Sequence, residues 1–136
     1  MADAQLLDTL SLVIGQRLIG RLCAGCSQPD RRDTVRRALA AALNTWLGGH
    51  PVNLRQADPD GCARCAHSGY LGSVLAYELI EIDARARSLI ASGAHPVELE
   101  VALLSGGRSI WERGLKLVAE GTTSFDALKA AVRQPR

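Results

Sequence analysis

Cys23-Ala24-Gly25-Cys26 and, 35 residues further on, Cys62-Ala63-Arg64-Cys65 bracket the part of this chain on which its architecture turns. A Cys-x2-Cys turn holds two thiolates close enough to share one ion, and its backbone amides can donate to the sulfurs. Two such turns supply four sulfurs, the closed tetrahedral set of a structural zinc, with no position left for water. One structural Zn2+ is therefore expected on Cys23, Cys26, Cys62 and Cys65. Gly25 is expected to help the first turn by adopting a positive φ. His67, two residues beyond Cys65, is the alternative ligand. Two competing readings are four ordinary buried cysteines and a thioredoxin-like dithiol. The dithiol needs only one pair and a βαβ context that precedes neither.

Between the turns, Asp30 is placed to cap a helix over 31–47, with Val35, Leu39, Leu43 and Trp46 on one face. Gly48-Gly49 and His50-Pro51 end it. Pro59-Asp60-Gly61 turns the chain into the second cysteine pair, and Ser68-Gly-Tyr-Leu-Gly72 closes the region.

Upstream, Leu6, Leu10, Val13 and Ile14 predict a helix over 3–21, weakened by Gly15 and Gly20; a strand near Gln16–Leu22 is the alternative. Downstream, Ser73–Ile82 is a nearly continuous apolar run, as in a strand buried on both faces. A weaker strand candidate lies near Val52–Leu54. Four helix signals follow: Asp83 as a cap, Pro96 at a first helical position, the capping box Ser109-Ile-Trp-Glu112, and Ser124 as the last cap. The predicted fold is mainly α with a small β element (α+β), a zinc-stapled subdomain followed by a C-terminal helical bundle. Residues 1–22 form an N-terminal helix or strand packed on the C-terminal part, 23–72 the tetracysteine subdomain, and 73–136 a strand with four helices.

Composition narrows the function classes. The chain has 136 residues, 47% apolar and 4% aromatic, so its core must come from aliphatic side chains. A net charge of +2 implies no polyanion partner, although fourteen of the sixteen basic residues are arginine. The run Leu6–Ile19 is too short and too interrupted to span a membrane, and the N-terminus lacks the basic start of a secretory signal. A cytoplasmic protein is expected, in which paired cysteines favour metal over disulfides. Arg31, Arg32, Arg36 and Arg37 could form a phosphate-contacting face, the basis of an alternative reading as a zinc-ribbon-like nucleic-acid module. No aromatic cluster accompanies them, and nucleic acid is not the expected partner. Gly15 and Gly20 form a G-x-x-x-x-G without the following Lys of a phosphate loop, so ATP is not expected to bind. His50 and His95 lie in proline turns. Glu78, Glu81 and Asp83 could bind a cation, but a polar strand end and a helix cap explain them more simply. No catalytic constellation is found.

Taken together, Gly15-Gln-Arg-Leu-Ile-Gly-Arg-Leu-Cys-Ala-Gly-Cys26, Gly61-Cys-Ala-Arg-Cys-Ala-His-Ser-Gly-Tyr-Leu-Gly72, Tyr77-Glu-Leu-Ile-Glu-Ile-Asp83 and Gly114-Leu-Lys-Leu-Val-Ala-Glu-Gly-Thr-Thr-Ser124 resemble the C-terminal region of the secretion and pilus-assembly ATPases, the GspE/PilB type. The resemblance runs from about Leu6 to Val132. It implies a four-cysteine zinc subdomain set into an ATPase whose nucleotide motifs lie upstream of the matched part. It further implies hexameric motors at the cytosolic face of the inner membrane, with the ATPase core or a membrane-platform protein as partner. Only the four cysteines carry over as site residues. The chain would be an excised piece or a free-standing remnant, with a structural or interaction role in type II secretion or type IV pilus assembly. Ser73, Val74 and Leu75 depart from the family, which usually has arginine, a small residue and glycine there. The apolar strand that results suggests a homodimer built near Ser73–Ile82.

Overall fold

The protein is described by a computed structural model over residues 4–133. A short helix α1 (Ala4–Thr9) leads into strand β1 (Leu12–Leu22), which pairs antiparallel with β4 (Tyr70–Glu81). Between them lie β2 (Gln28–Pro29), helix α2 (Asp33–Thr45) and β3 (Arg55–Gln56), then a 3-10 turn at Ala63–Cys65. Helices α3 (Ala84–Ala91), α4 (Pro96–Leu104), α5 (Ile110–Ala119) and α6 (Phe125–Ala131) complete an α+β fold.

The N-terminal helix predicted over 3–21 is confined to α1. Val13, Ile14 and Ile19 are β-branched, and Gly15 and Gly20 disfavour helix. Pairing with β4 decides the rest, running in register from Leu12 opposite Glu81 to Gly20 opposite Ser73. The register then shifts, so that Leu22 faces Tyr70. The extra residue falls on β4, where Gly72 adopts a φ of +74°. The weak strand candidate at Val52–Leu54 is realised one step downstream, where Gln28 faces Gln56 and Pro29 faces Arg55.

Successive side chains on a strand point to opposite faces. On the inner face of the β1–β4 ribbon Ile19, Val74 and Ala76 are buried. On the outer face Ile14, Leu18, Leu75 and Leu79 are exposed, Leu18 to 69%. The strand predicted to be buried on both faces is therefore buried on one, because only one layer of helices packs against it. That layer is a single apolar cluster joining the inner face to Val35 and Leu39 of α2, Trp111, Leu115 and Val118 of α5, and Phe125 and Leu128 of α6. Trp111 and Phe125 meet edge to face with centroids 6.1 Å apart. Helices α5 and α6 approach closely at Gly114, where a Cβ would lie 2.2 Å from Leu128 Cδ1.

The helix ends follow their capping chemistry. The Ser109 hydroxyl accepts from the Glu112 amide while Glu112 accepts from the Ser109 amide. Asp83 and Ser124 accept from Ala86 and Ala127 in the same way. Helix α2 differs from its prediction. Arg32 is its N-cap, and Asp30 accepts from the Arg32 amide and guanidinium instead of from the helix.

Candidate metal centre

Both cysteine turns are shaped by backbone bonds around their first residue. The Cys23 carbonyl accepts from the Cys26 and Ser27 amides, and the Cys62 carbonyl accepts from the Cys65 and His67 amides. The second turn continues through Ala66 (φ 49°) and His67 (φ 61°), two left-handed residues other than glycine. The positive φ expected at Gly25 is thus found elsewhere. A Cβ at Gly25 would be in ordinary contact with Cys23 and Cys62 Sγ, at 3.7 Å from each, and slightly close to Arg64 Cδ at 3.3 Å. Gly61 turns at φ 58°, where a Cβ would lie 2.4 Å from the His67 carbonyl carbon. A hydrogen bond from the Cys23 amide to the Gly69 carbonyl fastens the two turns together.

This framework brings all four free thiols together, every sulfur within 4.8 Å of the others. Cys23 and Cys62 Sγ are 3.7 Å apart, and Cys65 Sγ is 3.8 Å from both Cys26 and Cys62 Sγ. A tetrahedron with zinc–sulfur bonds of about 2.3 Å has edges of about 3.8 Å, so this donor set fits such an ion. His67 stays outside it. Its Nδ1 lies 3.1 Å from the Asp60 carbonyl oxygen.

Electrostatics separates the sulfurs. The Cys62 amide, aided by the Gly69 amide, pulls the Cys65 thiol down to about 6 against the opposing effect of burial. Burial pushes the Cys26 thiol up, and the neighbouring Cys62, Cys65 and Cys23 add to the shift. A divalent metal bound there would place positive charge beside the sulfurs and deprotonate the thiols that ligate it.

The other candidates disperse. Arg32 is held by Asp30 (2.7 Å) and Asp126 (2.8 Å), while Arg31, Arg36 and Arg37 are exposed. Arg31 and Arg36 rim a groove floored by Leu39, Leu43 and Val52. Gly15 and Gly20 lie within β1. Glu78 accepts from the Ile110 amide and Asp83 caps α3, and among the described residues neither joins Glu81 in a metal cluster. His95 Nδ1 accepts from the Val97 amide at the start of α4. Reading the sequence missed the bond between Tyr70 Oη and Ser124 Oγ (2.6 Å), which ties the cysteine lobe to α6. The tyrosine after a glycine and the serine cap were each visible, but nothing local joins positions 54 residues apart.

A sequence profile of the family described as Type II/IV secretion system protein matches residues 1–130. Type II secretion system protein E of Pseudomonas aeruginosa is 33% identical over 125 residues, covering 90% of this chain and 23% of that protein. Type II secretion system ATPase E of Vibrio cholerae is 30% identical over 122 residues, with the same coverage on both sides. Type IV pilus assembly ATPase PilB of Thermus thermophilus is 30% identical over 122 residues, 87% of this chain and 13% of that protein. The chain belongs to the type II/IV secretion system protein family. It spans less than a quarter of the length of these three curated relatives.

Proposed function

We propose that these residues form a zinc-binding structural module of a secretion or pilus-assembly ATPase. The observation that supports the metal is the sulfur spacing: three of the six distances, 3.7, 3.8 and 3.8 Å, match the edges of a tetrahedral site, and all four sulfurs lie within 4.8 Å of one another. Four thiolates complete the shell, so the zinc is structural and opens no site for catalysis. Its work is to hold the 23–30 and 55–72 segments together beside the shared apolar core. The module acts by contact, with the ATPase core or with an inner-membrane platform protein, at the cytoplasmic face of the membrane. Among the described residues no helix is long and apolar enough to cross a membrane. These residues neither bind nor hydrolyse ATP by themselves.

The test is elemental analysis and zinc-edge X-ray absorption on freshly purified, reduced protein. One zinc per chain with four sulfurs at about 2.3 Å is the expected result. Protein that is folded, reduced and free of metal would defeat the proposal. The nucleic-acid alternative keeps Arg31, Arg36 and Arg37 exposed but has Arg32 paired to Asp30 and Asp126, and the absence of DNA binding at low salt would remove it.

A further inference from the structure

The four sulfurs are close in space but unequal in what bonds them. The Cys65 sulfur accepts from two backbone amides, those of Cys62 and Gly69, each at 3.3 Å. The Cys62 sulfur faces the Cys65 amide in the reciprocal arrangement of a capping box. The first turn offers nothing comparable. Its amides at Cys26 and Ser27 go to the Cys23 carbonyl, and the Cys23 amide goes to Gly69. Among the described residues no backbone amide donates to the sulfur of Cys23 or of Cys26. Beside the Cys26 sulfur stands another sulfur, Cys65 Sγ, at 3.8 Å.

Burial divides the sulfurs again. Cys23 and Cys65 are 0% and 4% exposed. Residues of this chain alone cover them, and any further chain can only deepen that cover. Cys26 and Cys62 are half-buried. Cys23 is thus shielded by burial, Cys62 by an amide, and Cys65 by both. Cys26 has neither.

We propose that, given the structural zinc inferred above, Cys26 is the labile corner of the site, the sulfur at which a soft electrophile modifies the loaded protein. An amide that donates to a ligating thiolate takes up part of its negative charge and makes it a poorer nucleophile. A thiolate without such a donor keeps that charge and reacts first. With iodoacetamide the step is a displacement. The Cys26 sulfur forms a bond to the methylene carbon, the carbon–iodine bond breaks, and iodide leaves with the electron pair. The thioether formed carries no charge, which leaves Cys23, Cys62 and Cys65 as the anionic ligands. The first turn is then loosened at its outer end, while the second stays organised by the two amides on Cys65.

Two measurements on the 136-residue protein test this. The zinc-loaded protein is treated with less than one equivalent of iodoacetamide, and the label is located by fragment-ion mass spectrometry. Cys26 is expected to carry severalfold more label than any other cysteine, with Cys65 last. With cadmium in place of zinc, proton–cadmium correlation NMR reads the cause. The amide protons of Cys62 and Gly69 should correlate with the metal, and those of Ser27 and Gln28 should not. Protein that binds neither metal defeats the reading of the site itself, and this inference with it. Cadmium correlated with the β-protons of all four cysteines upholds that reading. Label spread evenly, or falling first on Cys23, Cys62 or Cys65, then overturns the lability of Cys26 alone. So does a metal correlation from Ser27 or Gln28, or none from Cys62 and Gly69.

Discussion

The hydroxyl of Tyr70 lies 2.6 Å from that of Ser124, at the point where β4 leaves the cysteine lobe. Ser124 is fully buried and also caps α6. One side chain thus terminates a helix and anchors the strand that follows the cysteine turns. Tyr70→Phe removes the anchor and leaves the cap. The expected loss is about 1 kcal/mol in chemical unfolding, the usual net worth of one such bond. No measurable change would mean that water serves Ser124 equally well.

Gly114 is the contact of α5 with α6. Leu128 is fully buried, and its Cδ1 lies 2.2 Å from where an alanine Cβ would stand. Helix propensity alone favours alanine over glycine. Overpacking should win here, and Gly114→Ala should destabilise the protein by about 1–3 kcal/mol. A stabilised variant would show that the two helices can separate freely.

Asp30 carries the clearest acid dependence. Its hydrogen bonds from the Arg32 side chain hold its carboxyl below the usual carboxylate range, against the opposing effect of burial. The unfolded chain therefore takes up this proton first. The stabilisation is complete above the ordinary carboxylate pKa and is lost as pH falls through the lower folded value. Asp30→Asn should lower the melting temperature at neutral pH and flatten its fall below about pH 4. Parallel curves for the two proteins would remove Asp30 as the cause.

If the four thiols hold the proposed metal, its loss should be felt unevenly. Chelation, or Cys62→Ser, is expected to abolish hydrogen-exchange protection in residues 23–30 and 55–72. Helices α5 and α6, with their own caps and a shared core, should keep most of theirs. Equal loss throughout would show that the cysteine lobe and the helices are one cooperative unit.

The cysteine cluster was legible because ligand spacing is local: each Cys-x2-Cys fixes its own turn, and two turns leave one sensible donor set. The caps of α3, α5 and α6 were legible for the same reason. The segment 12–22 was not. Its Leu, Val and Ile spacing suits a helix face as well as a strand, and its partner lies some 60 residues away, at Tyr70–Glu81. The exposure of Leu75 and Leu79 was hidden too, since an apolar run does not say whether one layer or two will cover it. Asp30 was recognised as a helix-start residue, yet it serves Arg32, whose second partner, Asp126, is 94 residues distant.

The neck formed by Gln28–Pro29 against Arg55–Gln56 has a topological meaning. The Asp30 amide reaches the Leu54 carbonyl, so the chain enters and leaves the α2 excursion at one point. The excursion is a closed lobe hung from that point, and the distance between the two cysteine turns does not depend on its length. Closure entropy grows only slowly with added residues. Sequence inserted at the exposed Gly48–His50 turn would lengthen the lobe and leave the four sulfurs where they are. That turn is thus a natural place to graft a reporter or a new recognition loop onto the module.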